Sequence, residues 1–165
     1  MATIPRPEDP NREWLVLHLT GMTAHIPFER AVKDFPVELA GKRIPGLDHT
    51  AWGLLWHLAV CQEDILLYAL NEGHVSPPYP SGLWPEEDGP AEAADWERTA
   101  MKFNRDLEAV VRMVRDPGRD LYAPVRPGID ETLLQMAGLV IDHNSYHIGQ
   151  FVDLRMLLGV PVKDW

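Results

Sequence analysis

Thiols, basic residues and long apolar runs are all scarce in this sequence. A single cysteine, Cys61, excludes an intramolecular disulfide framework and any zinc cluster built on several thiolates. Lys and Arg number 15 against 25 Asp and Glu, a formal charge of −10 at pH 7. Phosphate backbones and anionic bilayers repel such a chain, so neither nucleic acid nor membrane is expected as a partner. The longest uncharged stretch around Trp52 runs from His49 to Gln62, shorter than the ~18–20 residues a membrane span requires. The opening MATIPRPEDPNRE holds no apolar core of a secretory leader, and the expected location is the cytoplasm. Strand-like alternation, internal repeats and a glycine-rich phosphate loop are missing too, which leaves a β architecture and nucleotide hydrolysis without support. With 165 residues, 45% of them apolar, the composition is that of one globular domain spanning 1–165.

Proline, by contrast, is plentiful, with 15 residues, and it punctuates the chain. Proline lacks an N–H and its ring clashes with the preceding turn, so it is excluded from helix interiors. The proline-free windows 11–26, 46–76, 91–116 and 128–160 therefore predict four main helices. Apolar residues recur at 3–4 spacing within them: Trp96, Phe103, Leu107, Val110 and Val114 in the third, and Met136, Val140, Ile148, Phe151 and Leu154 in the fourth. The second carries Trp52, Leu55, Trp56, Ala59, Leu66 and Leu70, with Asp48 or Thr50 as N-cap and a stop at Asn71-Glu72-Gly73. The first has a shorter stripe of Trp14, Leu15, Leu19 and Met22, and Pro27 suits the first turn of a small helix through Phe28, Ala31 and Val32. Gly159-Val160-Pro161 ends the fourth. The proline-rich connection 74–90 is expected to lie across the helices as a lid or brace, with Tyr79 and Trp84 either packing or lining a pocket beneath it. The fold class is all-α, a four-helix bundle.

Histidines fall inside the apolar seams. His143 and His147, spaced i, i+4 in the fourth window, share one helix face, one turn apart, and two imidazoles so placed grip a single cation. His57 sits mid-window in the second helix, near Leu54 and Cys61. A buried neutral imidazole needs a partner for its polar nitrogens. Either each histidine finds its own hydrogen-bond partner, or the three converge on a metal; spacing alone does not bring His57 to the other two. Rival arrangements are poorly supported. Asn144 stands where a zinc-protease HExxH pattern needs Glu, and no Glu precedes a His by three positions as a di-iron bundle demands. Cys61 and His57 form an i, i+4 nucleophile–base candidate, although free cysteine ordinarily packs as a small hydrophobe.

The strings Thr50-Ala51-Trp52-Gly53-Leu54-Leu55-Trp56-His57-Leu58 and Asp142-His143-Asn144-Ser145-Tyr146-His147-Ile148-Gly149-Gln150, with the tail Leu154-Arg155-Met156-Leu157-Leu158-Gly159, resemble the DinB/YfiT-like family. The likeness runs from about Trp14 to Gly159. It implies a four-helix bundle with a long crossover connection, a divalent metal held by His57, His143 and His147, a frequent homodimer, and in some members thiol S-transfer or isomerisation with a low-molecular-weight thiol. Three imidazoles leave a coordination position open, as in catalytic sites. An all-nitrogen shell suits Zn²⁺ or Ni²⁺, with Fe²⁺ or Mn²⁺ as further candidates. The leading expectation is a metal-dependent enzyme, a thiol S-transferase or related hydrolase or isomerase, acting on a small-molecule substrate through a metal-activated thiol or water. The alternative is a non-catalytic, metal-binding, stress-related or ligand-binding protein. Asp64, Gln150 and Tyr146 are the candidate catalytic residues, Asp142 a further neighbour of the metal, and Arg155 a candidate counter-charge for an anionic substrate.

Overall fold

The computed structural model describes residues 9–163; most of the N-terminal stretch read above for a secretory leader lies outside the described residues. Among the described residues there are five α-helices: α1 Pro10–Leu19, α2 Phe28–Val32, α3 Ala51–Leu70, α4 Ala93–Arg115 and α5 Leu133–Leu157. The all-α expectation holds, and the four long helices lie in the four proline-free windows. Pro10 occupies the first turn of α1, where its missing N–H costs nothing, behind an Asp9 cap that accepts from the Asn11 and Arg12 amides. Of the two candidate caps for α3 the structure uses Thr50, whose Oγ accepts from Gly53 N at 3.0 Å. Reciprocal capping boxes open α4 (Glu92 and Asp95) and α5 (Thr132 and Gln135). Gly159, at φ 76°, closes α5: its amide reaches Met156 O and that of Val160 reaches Arg155 O, the pairing of a Schellman end.

Helix α3 packs against α4 and α5, and α1 packs against the same two. The connection after α3 turns back along that helix: His74 meets Asp64, the Leu83 carbonyl meets His57, and the Asp88 carbonyl accepts from Thr50 Oγ. Helix α4 therefore starts beside the first turn of α3 and runs parallel to it. Two cores result. One is mostly aliphatic, with Leu15, Leu19, Leu66, Val110, Val114 and Val140. The other is aromatic, with Phe28, Phe35, Trp52, Trp96, Phe103 and Phe151. Phe35 stacks on Trp96 at 4.8 Å and Phe28 lies 3.9 Å from Phe103, centroid to centroid.

Some expected core positions face water instead. Trp14, Met22, Leu70 and Leu139 are exposed; the buried stripe of α1 is Leu15, Val16 and Leu19. Trp14 lies over His18 on the outer face of α1, 3.9 Å between rings. Arg155 is also placed differently from expectation. It is buried, donating from Nε to Val160 O (2.9 Å) and from Nη1 to Ala31 O (2.6 Å) and Lys33 O (2.8 Å). It ties the end of α2 to the end of α5, and these carbonyls, not the histidine site, orient it.

Candidate metal centre

At mid-height the apolar interior is interrupted by a polar layer: His57 and Gln62 from α3, Asp106 from α4, and His143, Asn144 and His147 from α5. On α5 this layer sits between the residues of the aliphatic core and those of the aromatic one; on α3 Gln62 does so, while His57 lies one turn into the aromatic core. The three imidazoles meet there. His57 Nε2 is 3.1 Å from His147 Nε2 and 3.1 Å from His143 Nε2. One ligand atom from each histidine lies within 4.8 Å of the others, the spacing needed by ~2.0–2.1 Å bonds to a shared ion.

The outer nitrogens explain which ring atoms face the centre. His57 Nδ1 is 2.7 Å from the Leu83 carbonyl, which only accepts, so this nitrogen carries the proton. His147 Nδ1 donates to Gln150 Oε1 at 2.7 Å. Asn144 donates through Nδ2 to Gln62 Oε1 (3.1 Å), which turns its own oxygen toward His143 Nδ1 at 3.4 Å. With the Nδ1 protons committed outward, all three Nε2 atoms are bare lone pairs pointed at one another. Three acceptors in such contact repel unless a cation sits among them, and this is the arrangement by which proteins fix the tautomer of a metal-binding histidine.

Electrostatics favour the same state. Burial pushes His57 and His147 down to about 4, mutual repulsion among the imidazoles adding to the effect, and burial lowers His143 as well. All three are neutral at pH 7, the form that binds metal. Cys61 is a poor nucleophile: its Sγ lies 3.6 Å from His57 Nδ1, but burial raises the thiol to about 12 and keeps it protonated. It is not part of the converging group of ligand atoms.

The connection between α3 and α4 supplies what spacing did not reveal. Trp84 stacks face to face on His57 (3.8 Å, 2° between planes) and on His49 at its other face (3.7 Å, 4°). The segment is thus a brace over the centre, made by one aromatic ring and one carbonyl. Tyr79, by contrast, is almost fully exposed and does not pack into the interior. Leu83, Trp84 and His49 come from irregular segments that carry no helical periodicity, and only proline richness marked their neighbourhood.

Of the candidate catalytic residues, Gln150 is at the centre through His147. Tyr146 is exposed, its ring edge-on to His147 at 5.0 Å. Asp64 is elsewhere engaged: its carboxylate holds His74 Nε2 at 2.6 Å, pinning the start of the brace to α3. Asp142 is exposed on α5. Tyr146, Gln150 and His49 line a cavity of about 300 Å³ next to the centre, together with Asp48 and Asp153.

The sequence profile of the DinB superfamily matches residues 27–151. The chain belongs to the DinB superfamily. That match takes in α2 to α5, the brace and all three histidines. No curated protein and no solved structure gives a significant match. No helix among the described residues is long and apolar enough to cross a membrane. In this DinB superfamily chain, then, the triad is a group fit to hold a metal ion, by its donor set and by the outward commitment of its Nδ1 protons.

Proposed function

We propose that the chain is a metal-dependent enzyme in which His57, His143 and His147 hold one divalent cation, with Zn²⁺ or Ni²⁺ best suited to the all-nitrogen donors and Fe²⁺ or Mn²⁺ as further candidates. The observation carrying this reading is the convergence of three Nε2 lone pairs whose Nδ1 partners are oxygens. A bound cation supplies Lewis acidity, lowering the pKa of a thiol or water placed beside it. The protein contributes the rest. The Leu83 carbonyl and the Trp84 face hold His57 in plane, Gln150 aims His147, and the Gln62–Asn144 pair aims His143. Among the described residues three side chains offer ligand atoms to the group, which favours an open position, and hence catalysis, over a closed structural site. The cavity lined by Tyr146, Gln150 and His49 is the place for a small-molecule substrate, and Asp48 and Asp153 in its wall disfavour an anionic one.

Within that reading the reaction is transfer from, or hydrolysis by, a metal-activated nucleophile, with a low-molecular-weight thiol as the co-substrate that the family resemblance suggests. The test is turnover of a chromogenic electrophile by zinc- or nickel-loaded protein with a panel of uncharged, cationic and anionic thiols. Rate above the thiol alone, abolished in His147→Ala, supports it. A loaded protein that binds metal and gives no such rate with any thiol or with water supports the alternative, a metal-binding protein without catalysis.

A further inference from the structure

The end of the molecule formed by α2 and the close of α5 has a character opposite to the rest. A cavity of about 530 Å³ opens there, and among the described residues its wall carries four cationic side chains, Arg30, Lys33, Arg155 and Lys163, against one carboxylate, Asp34. In a chain of net charge −10 this is a local reversal of field. Arg155 makes it more than a group of surface cations. The residue is 3% exposed, and its partners among the described residues are the carbonyls of Ala31, Lys33 and Val160, with no carboxylate. Its guanidinium lies 5.6 Å from the Phe35 ring centre. Nε and Nη1 are committed to those carbonyls, so the planar fork is fixed in orientation, and among the described residues no carboxylate hydrogen-bonds to it. Burial lowers its pKa, an effect that the nearby Asp34 charge offsets only in part. Arg30 is fixed too, through Nη2 to Lys163 O at 3.2 Å, which draws the chain after α5 toward α2. Pro36, Val160 and Pro161 give the same cavity an apolar wall.

We propose that this cavity is an anion-binding site for a phosphate-bearing small molecule, with Arg155 as its preorganised anchor, Arg30, Lys33 and Lys163 as surrounding cations, and the proline-lined wall receiving the organic part. A phosphoryl group suits the arrangement because guanidinium forks and ammonium groups recognise its several oxygens together, and the desolvated guanidinium strengthens the contact. The site is built from α2, the end of α5 and the segment following it, and uses none of the three histidines, so it stands apart from the metal reading. The cavity is too large for inorganic phosphate alone, which points to an organic phosphomonoester.

Titration of the full chain with inorganic phosphate, phenyl phosphate and uncharged phenol, followed by the NMR shift of the Arg155 Nε–H and by calorimetry, tests this. Saturable binding of both phosphates is expected, phenyl phosphate the tighter, with phenol inert. The double variant Lys33→Ala, Lys163→Ala removes two exposed cations without disturbing the carbonyl clamp, and should weaken phenyl phosphate by about fivefold or more. His147→Ala should bind phosphate as the parent does. Absence of saturation with either phosphate, binding unchanged in the double variant, or a shift that plain chloride reproduces at equal ionic strength would overturn the proposal.

Discussion

The two cores and the layer between them obey different rules. On either side of mid-height, apolar residues fill the interior with few polar atoms to satisfy, and any hydrophobe of suitable volume serves nearly as well. In the layer, His57, Gln62, Asp106, Asn144 and His147 are all buried, although each costs desolvation that a leucine would not. The cost is incompletely recovered within the described residues: Gln62 Nε2 and Asp106 Oδ2 are buried without a hydrogen-bond partner. A protein selected only to fold would have packed that level with hydrocarbon. The contrast teaches that the apolar levels carry most of the burial, while the layer, whose three histidines could hold a metal, carries a desolvation cost that Lys102 and Arg105 offset at Asp106.

The contrast can be broken at several points, and the largest effect belongs to the cores. Phe103 is fully buried against Phe28, so Phe103→Ala should cost about 3–5 kcal/mol in denaturant unfolding. Metal per folded molecule should stay at the parental value. A variant that loses metal while still folded would show that core and layer are not separable. Next in size is the metal's own contribution. Saturating the triad at about 100 times the dissociation constant should stabilise the parent by about 2.7 kcal/mol and leave His147→Ala unmoved, measured as the shift in thermal midpoint. An equal shift in both would place the ion elsewhere.

Smaller is the effect of the outer partners. Gln150→Ala removes the acceptor for His147 Nδ1 and should weaken metal binding by about tenfold without changing helix content. Replacing Asp64, which serves His74, should leave affinity unchanged. Last comes pH. His57 and His147 titrate near 4 in the folded chain, below the ordinary histidine value. The unfolded state therefore binds more protons between about 6.5 and 4, and metal-free protein loses stability as pH falls through that window. The share of the loss due to His57 and His147 should vanish in the double variant His57→Ala, His147→Ala, while His143 and His49, also lowered by burial, keep theirs.

How much of this was legible beforehand depends on whether a feature is local. Helix bounds follow from proline exclusion and caps, which act within a few residues, so Pro10, Thr50 and Gly159 fall at the ends they were expected to mark or beside them. The His143–His147 pair is visible because i, i+4 spacing is a helix property. The convergence of His57 on that pair is a fact of packing; three imidazoles in apolar seams raised it as one of two alternatives, and the family resemblance favoured it. Asp64 is likewise placed by packing. Its position two turns from His57 says nothing of His74, which reaches it from the returning connection. Trp84, Leu83 and His49 come from irregular backbone with no period to read. Arg155 reads in sequence as a surface cation and is buried because three carbonyls at helix ends need a donor.

The central claim concerns the coordination shell, and X-ray absorption at the metal edge of zinc-loaded protein tests it most directly. The account predicts one ion per chain, with three imidazole nitrogens at about 2.0–2.1 Å and a light atom from solvent or substrate as the fourth neighbour. A sulfur neighbour at about 2.3 Å would bring Cys61 into the shell and close it, and a shell with fewer than three imidazoles would contradict the convergence on which the reading rests.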